Sequence, residues 1–368
     1  MPEPEPLRIA IVGTGNIARR HAEDLAAASG AGGPAASLVA VMDVDEQRLA
    51  AFGQEFGVPG RYTDLDGLLG AEPDLVHVCT PPSAHVQPTL SCLRAGASVL
   101  VEKPPTISLR ELDELAAAEG GGGTAGGGPW FATVFQHRFG SGQRRLKALM
   151  ASGVLGRPLV AVCNTTWYRD QAYFDVPWRG RWDTEGGGPT MGHGIHQMDM
   201  LVDALGEWTE VSAVTRTLAR TMDTEDLSLA HVTFASGAVA SVVNSVLSPR
   251  EESYLRFDFE RATVEVTHLY GYDDGDWRVT PLPGREQEVR AAWDAAEHGT
   301  RSGHAAQFRH VLGALAEGRR PPVGPAEARR TMALVAGIYA SGAGGRPVKA
   351  AELAPGTPFY DRMNGDRG

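Results

Sequence analysis

The chain has 368 residues, of which 42% are apolar and 21% are charged, and this length suits two domains with substantial cores. Its net charge of −11 argues against nucleic acid or an anionic membrane surface as the main partner, and no apolar run is long enough to span a bilayer. The composition fits an enzyme that acts on neutral or modestly charged small molecules.

Cysteine usage and the first residues bear on the compartment. The three cysteines, Cys79, Cys92 and Cys163, are an odd number without the spacing of a metal site, which favours a reducing cytoplasm over secretion. The opening residues MPEPEP lack the basic and apolar regions of a signal peptide, and we expect this tail to be disordered. The sequence therefore predicts a cytoplasmic protein.

The stretch LRIAIVGTGNIA, residues 7–18, predicts a buried strand, a glycine turn and the start of a helix. Gly13 permits the tight turn, Gly15 lets the backbone approach a pyrophosphate, and Ala18 lies where helix and strand pack closely. The helix then begins with its amide groups directed at the phosphates. This pattern favours dinucleotide binding; the alternative is a turn that simply ends the strand.

A second predicted strand over residues 38–42 ends at Asp43. An acidic residue at this point can hold the adenosine ribose through its hydroxyl groups, and it repels a 2′-phosphate. Asp43 therefore favours NAD, with NADP less expected. The alternative is that Asp43 only caps the helix that begins near Asp45.

Strands and helices alternate through the first third of the chain, which is the doubly wound pattern. The strand over residues 74–79 leads into Thr80-Pro81-Pro82, and the strand over residues 98–101 leads into Glu102-Lys103-Pro104. Ligands bind at this carboxyl edge in open α/β sheets. A lysine at a strand end is usually solvated, but a pKa lowered by burial would let Lys103 accept the proton of a secondary alcohol.

The pattern changes after residues 120–128, a glycine-rich segment that we expect to be a flexible surface loop. Alternating runs from 157 to about 279 predict an antiparallel sheet, interrupted by a helical segment over 186–205. Two helices follow, one with Phe308 and Leu312 on its apolar face and one introduced by Pro325. We place the domain boundary between 128 and 129.

The segment GGGPTMGHGIHQMD, residues 186–199, is the second candidate for chemistry. His193, His196 and Asp199 follow one another at helical-turn spacing and could share a face. Zinc binding is a weak alternative because a third ligand is not evident, and buried structural histidines are another. We favour His196 as an acid/base or substrate-binding group, and we expect no metal.

Aromatic and arginine side chains are dense in WYRDQAYFDVPWRGRW, residues 167–182. Such a segment suits sugar stacking and contacts to hydroxyl or phosphate groups. Tyr168, Trp178 and Arg179 are our candidates for substrate contacts. An equally weighted alternative is that the aromatics anchor a domain or oligomer interface.

Taken in order, these motifs resemble the Gfo/Idh/MocA oxidoreductase family. The shared features are the glycine turn, Asp43, the TPP-x-x-H of 80–85, Glu102-Lys103-Pro104, the triple glycine followed by His196-x-x-Asp199, and the ending GRPVKAAEL. The resemblance implies an α/β fold: an N-terminal doubly wound Rossmann domain, 1–128, and a C-terminal α/β domain, 129–368, with a large, mostly antiparallel open-faced sheet that mediates dimers or tetramers.

The resemblance also implies a reaction. Members mostly oxidise or reduce a hydroxyl group of sugars, polyols or nucleotide sugars, Lys103 and His196 take part in catalysis, and the Lys103–Pro104 bond can be cis. The expected cofactor contacts are Gly13, Gly15, Asn16, Ile17, Ala18, Asp43, Thr80, Pro81, His85, Glu102 and Lys103. The expected substrate contacts are Lys103, Tyr168, Trp178, Arg179, His193, His196 and Asp199.

The sequence departs from the family pattern at Gly192, where the family usually has an Asp four residues before the histidine. We hypothesise that Lys103 carries most of the proton transfer, that His196 binds the reacting oxygen and that His193 partly compensates for the missing carboxylate. Two alternatives stay open: a non-catalytic nucleotide-binding sensor, and an NAD-recycling elimination or hydrolysis enzyme.

Overall fold

The computed structural model describes residues 5–30, 33–119 and 128–365. Residues 1–4 of the expected disordered tail and residues 120–127 of the glycine-rich segment lie outside the described residues. The chain divides into two compact units. The first contains residues 1–106, 111–134 and 304–328, and the second contains residues 107–110, 135–303 and 329–368.

Fourteen strands are described. They are β1 Leu7–Val12, β2 Ala36–Met42, β3 Gly60–Tyr62, β4 Leu75–Val78, β5 Ser98–Val101, β6 Phe131–Thr133, β7 Pro158–Tyr168, β8 Trp208–Arg216, β9 Leu227–Phe234, β10 Val239–Ser245, β11 Leu247–Phe259, β12 Ala262–Thr267, β13 Trp277–Pro281 and β14 Val348–Lys349.

Thirteen α-helices are described. They are α1 Asn16–Gly30, α2 Glu46–Glu55, α3 Leu65–Leu69, α4 Val86–Arg94, α5 Leu109–Ala118, α6 Ser141–Ser152, α7 Gln171–Phe174, α8 Pro189–Gly192, α9 Ile195–Leu205, α10 Glu286–Ala295, α11 His304–Ala316, α12 Pro325–Gly344 and α13 Pro358–Asp361. No helix of these ranges is long and apolar enough to cross a membrane.

The first unit is built on a six-stranded sheet of order β3-β2-β1-β4-β5-β6. Every neighbouring pair in it is parallel, so the predicted doubly wound architecture is confirmed. The last residues of the three central strands, Val12, Val78 and Val101, lie side by side in register. The loops that follow β1, β4 and β5 therefore begin at one common edge.

The helix α11 belongs to the first unit, although our sequence-based boundary assigns all of 129–368 to one domain. Its apolar residues Phe308, Val311 and Leu312 join the same buried cluster as Ile9 and Leu100 of the parallel sheet. Helical spacing identifies this apolar face but not the sheet that it covers. The chain thus returns to its first unit after building most of the second.

The second unit contains an eight-stranded sheet of order β13-β12-β11-β7-β10-β9-β8-β14. Only β7 and β10 pair in parallel, and the other pairs are antiparallel, as predicted. Within the predicted alternating stretch, residues 247–267 form two strands joined by a turn, β11 and β12. The predicted helical segment 186–205 is likewise two helices, α8 and α9, because the chain breaks at His193 and Gly194.

Candidate active site

The glycine turn after β1 packs against the end of β4. Gly13 has a φ of +88°, a value that favours glycine, and a Cβ there would lie 3.0 Å from the carbonyl carbon of Cys79. A Cβ on Gly15 would meet nothing within 4 Å, and α1 begins at Asn16. Space at a helix N-terminus, where amides lack intrahelical acceptors, suits a pyrophosphate.

The next two residues of α1 face the core. Ala18 has no exposed surface, and Ile17 packs on the same cluster, which includes Ile11 and Val41. Any contact of Ala18 with a cofactor would therefore come from its backbone. This close packing of helix on strand agrees with the expected role of a small residue at this position.

Asp43 is held at the glycine turn by hydrogen bonds. Its Oδ2 accepts from the amide and the hydroxyl of Thr14, both at 2.8 Å, and its Oδ1 accepts from the amide of Asp45 at 2.9 Å. Burial opposes ionisation, but these bonds and the Arg48 guanidinium outweigh it and hold the pKa of Asp43 below its usual value. Asp45, not Asp43, caps α2, since its side chain accepts from the amides of Gln47 and Arg48.

His85 connects the loops that follow β4 and β5. Its Nε2 lies 2.8 Å from the carbonyl oxygen of Thr80, and its Nδ1 lies 2.9 Å from that of Pro104. Pro81, next to Thr80, is exposed. The Lys103–Pro104 bond is cis, as the resemblance implies. His85 is buried, so its ring fixes the loop that carries Lys103.

Glu102 lies inside the first unit, next to two imidazoles. Its Oε1 is 2.9 Å from His21 Nε2 and 3.2 Å from His304 Nε2, and its Oε2 accepts from the amide of Lys103 at 3.0 Å. Burial opposes ionisation, but the two imidazoles outweigh it and hold the pKa of Glu102 well below its usual range. The Glu102 carboxylate thus anchors the backbone at the half-buried Lys103, and a contact of Glu102 with the cofactor stays a prediction.

The sequence analysis missed this buried histidine cluster, which consists of His21, His77, Glu102 and His304. His21 Nδ1 lies 3.0 Å from His77 Nδ1. Ligand atoms of His21, Glu102 and His304 all lie within 4.8 Å of one another, which is also a donor set for a divalent cation. Hydrogen bonds account for the contacts of Glu102 with both rings. No local motif signals the cluster, because His21 and His304 are 81 and 202 residues from Glu102.

In the second unit, the triple glycine allows the chain to pack on itself. A Cβ on Gly187 would lie 2.1 Å from the Tyr339 hydroxyl, and one on Gly188 would lie 1.9 Å from the carbonyl oxygen of Glu225. The Glu225 carboxyl group accepts from the amides of Gly188 and Thr190 and from the Tyr339 hydroxyl, at 3.0–3.1 Å. These contacts hold the start of α8.

His193 occupies the break between α8 and α9. Its Nε2 lies 3.3 Å from the Tyr173 hydroxyl, and its ring meets Trp167 edge-on with centroids 5.1 Å apart. The Tyr173 hydroxyl also accepts a hydrogen bond from Arg179, whose guanidinium lies 3.9 Å above the Tyr173 ring. Arg179 stacks on Trp178 as well, at 4.3 Å. The structure thus connects His193 to Arg179 through Tyr173, and Arg179 in turn stacks on Trp178.

His196, in the first turn of α9, has different aromatic neighbours. Its ring centroid lies 5.2 Å from that of His137 and 5.6 Å from that of Tyr270. Tyr270 also accepts a hydrogen bond from Gln136. The sequence analysis missed these neighbours because they come from segments distant in the chain.

Residues 7–123 match the family described as "Oxidoreductase family, NAD-binding Rossmann fold" (GFO/IDH/MocA), and residues 143–281 match the GFO/IDH/MocA C-terminal domain. The chain belongs to the GFO/IDH/MocA family. D-glucoside 3-dehydrogenase of Escherichia coli (strain K12) is 28% identical over 297 residues, 74% of this chain and 80% of the relative. Inositol 2-dehydrogenase of Rubrobacter xylanophilus is 25% identical over 366 residues, 96% of each chain.

A solved structure supports the same family and fold. The WlbA dehydrogenase of Chromobacterium violaceum, in complex with NADH and UDP-GlcNAcA, is 26% identical with a TM-score of 0.80, over 94% of this chain and 96% of that one. The expected family, fold class, NAD cofactor and oxidoreductase class are thereby confirmed. The sensor alternative is not favoured, since these relatives are named as dehydrogenases.

The first unit of this GFO/IDH/MocA enzyme fits the dinucleotide. The turn at Gly13 leaves no room for a side chain, Gly15 borders open space, and the ionised Asp43 is fixed beside the turn. The backbone from Gly13 to Ala18 would hold the pyrophosphate, and Asp43 would hold the ribose. NAD accepts or supplies a hydride when bound.

Two residues of the GFO/IDH/MocA enzyme that we expect to contact the substrate are Asp199, which bonds to other side chains, and Tyr168, which is exposed. Both oxygens of Asp199 bond to Arg138, at 2.5 and 2.7 Å, and one also accepts from Thr331 at 2.9 Å. Burial raises the pKa of Asp199 even though Arg138 opposes this. Tyr168 is 44% exposed and lies on the face of β7 opposite to Trp167, because successive strand residues alternate. Asp199 thus anchors α9, and Tyr168 lies away from His193.

Proposed function

We propose that this enzyme interconverts a secondary hydroxyl group and a ketone on a sugar, polyol or sugar-derived small molecule, with NAD as the hydride carrier. The observation that carries the proposal is the surroundings of His193, where a phenol and a guanidinium meet two indole rings. Hydroxyl-rich ligands need such hydrogen-bonding groups next to aromatic surfaces. Relatives named as glucoside and inositol dehydrogenases support the same substrate class.

Three side chains carry the proposed chemistry. Lys103 accepts the proton of the hydroxyl group during oxidation and returns it during reduction. His196 binds the reacting oxygen, and His193 contributes a second hydrogen bond to the substrate. His85 and Glu102 act indirectly, because they fix the loop that carries Lys103.

The test compares two variants in an assay of NADH formation from NAD⁺ with myo-inositol, methyl glucosides and anhydro sugars. We expect Lys103→Ala to lower kcat by roughly 10²–10⁴-fold, the usual loss of a general base, while NADH binding is retained. His193→Ala should cost less, and Lys147→Ala, a half-exposed lysine of α6, serves as the control.

Two outcomes would change the proposal. If His193→Ala costs more turnover than Lys103→Ala, the two roles are reversed. If substrate is consumed without net NADH formation, the enzyme recycles NAD in place and performs an elimination or hydrolysis.

We also propose that the enzyme is cytoplasmic and forms a homodimer or homotetramer through the face of its eight-stranded sheet. Its three cysteines are buried thiols, which suits a reducing compartment. Val160, Val214, Leu229 and Val239 share one face of this sheet, and each is 44–47% exposed. Exposed apolar rows of this kind favour association with a second copy.

A further inference from the structure

A buried carboxylate precedes the triple glycine. Glu185 is 5% exposed, and its Oε2 accepts a hydrogen bond of 2.6 Å from the amide of Gly180. Its Oε1 lies 3.5 Å from the Arg179 guanidinium.

The same oxygen lies beside α8, the helix that precedes His193. A Cβ built on Gly192, the last residue of α8, would be 3.4 Å from Glu185 Oε1. A side chain at position 192 would therefore begin next to the Glu185 carboxylate. Glu185 supplies that group from a neighbouring segment, and the absence of a side chain at Gly192 leaves room for it.

From Glu185 the contacts continue to His193. The Arg179 guanidinium lies next to the carboxylate and donates to the Tyr173 hydroxyl, which in turn lies 3.3 Å from His193 Nε2. Arginine has no acceptor atom, so the phenol oxygen accepts from Arg179 and its single O–H is available to His193. A neutral His193 that accepts this O–H at Nε2 carries its own proton on Nδ1.

We propose that Glu185 is a positioning residue of the reaction: it holds Arg179 on the Tyr173 hydroxyl and thereby fixes the Nδ1–H tautomer and the orientation of His193. It performs the task of the carboxylate that Gly192 lacks. Its kinetic consequence rests on the proposed function, in which His193 bonds to the substrate, whereas the tautomer of His193 does not depend on the substrate. Glu185 itself touches neither substrate nor cofactor in this proposal.

The decisive experiment reads the tautomer directly. Two-bond ¹⁵N–¹H correlation spectra of protein labelled at histidine distinguish Nδ1–H from Nε2–H rings, and a His193→Asn variant identifies the signals. We expect the Nδ1–H form in the wild type and in Asp183→Asn, which removes an exposed carboxylate of the same segment. In Glu185→Gln the preference should be lost. An unchanged His193 signal in Glu185→Gln would overturn the proposal.

Kinetics supply a second arm. We expect Glu185→Gln to lower kcat by about tenfold with little change in KM, the loss typical of a group that orients a functional side chain. In Glu185→Ala, kcat should fall at least as far. Adding Gly192→Asp to Glu185→Ala should restore most of the lost kcat, because the new side chain places a carboxylate next to the position that Glu185 occupied. Loss of activity without rescue, with the tautomer unchanged, contradicts the proposal.

The two proposals fail separately. If the wild type oxidises none of the sugars or polyols, the proposed function fails, and the tautomer of His193 still tests Glu185. Folding is controlled by thermal unfolding of each variant. Glutamine can still accept the hydrogen bond from Gly180, so Glu185→Gln should unfold near the wild-type temperature.

Discussion

At the scale of single residues, Asp43 and Glu225 are both buried carboxyl groups with opposite protonation behaviour. Amide and hydroxyl donors outweigh burial at Asp43 and lower its pKa. At Glu225, burial outweighs the donors and raises the pKa to about 7. The difference lies in the surroundings, since both groups accept several hydrogen bonds. Asp43 is therefore suited to bind a ribose as an anion, whereas Glu225 is half protonated near neutral pH.

The role of Asp43 gives a prediction about cofactor choice. Asp43→Asn should weaken NADH binding by roughly ten- to a hundredfold, the value of a hydrogen bond to a charged group, and should narrow the preference for NADH over NADPH. Fluorescence titration with each nucleotide measures both effects.

Asp45→Asn is the matched control, because asparagine also caps helices well and the neighbouring carboxylate is removed. Equal losses in the two variants would mean that Asp43 acts only on the local fold. Tighter binding of NADPH than of NADH by the wild type would contradict the assignment of Asp43 to the ribose.

At the scale of elements, the break between α8 and α9 determines where His193 and His196 point. Glu225 holds the start of α8 through the amides of Gly188 and Thr190, and Asp199 holds α9 through Arg138. Both anchors are buried ionisable groups, so the position of the two imidazoles depends on charges outside their immediate contacts.

The raised pKa of Glu225 predicts a pH dependence of stability. The folded group titrates at about 7 and the reference value is 4.5, so between these values the folded protein retains a proton that the unfolded chain has lost. Its contribution to the free energy of unfolding is therefore greatest below pH 4.5, falls by about 3 kcal/mol as the pH rises to 7, and then stays constant.

Urea unfolding at pH 5 and pH 8 checks this prediction. A glutamine at this position cannot ionise. The free energy of unfolding of Glu225→Gln should therefore fall by about 2–3 kcal/mol less than that of the wild type between pH 5 and pH 8. Glu207→Gln, at an exposed carboxylate, should follow the wild type. Parallel behaviour of Glu225→Gln and the wild type would show that Glu225 is already ionised at pH 5.

At the scale of the whole molecule, the exposed face of the second unit's sheet is the surface at which we propose self-association. Val160 and Val239 lie opposite each other on β7 and β10, and Val214 and Leu229 lie opposite each other on β8 and β9. Burying these two pairs against a second copy would remove their apolar surface from water.

Replacement of one residue in this strip tests the assembly. We expect Val239→Lys to shift the protein from a dimer or tetramer toward the monomer in sedimentation velocity, because a lysine would be buried at the contact. Leu282→Lys replaces an exposed apolar residue just beyond β13 and should leave the assembly unchanged. If wild type and Val239→Lys sediment alike, another surface forms the oligomer or the protein is monomeric.

The sequence by itself determined the features whose signals are local. The strand, glycine turn and helix of residues 7–18, Asp43 at the end of β2, and the Glu102-Lys103-Pro104 loop after β5 each lie within a short segment. Backbone geometry and hydrophobic period act over such distances. For the same reason the alternating runs of the second unit identified a mostly antiparallel sheet.

Only the tertiary structure decided which segments meet. The spacing of apolar residues in α11 identifies an apolar face but not its place on the first sheet. The histidine cluster joins residues separated by as many as 202 positions. Glu185 lies beside Gly192 because the chain turns back on itself through the triple glycine. Burial and hydrogen bonding between distant segments depend on how the chain packs, and that packing has no local signature in the sequence.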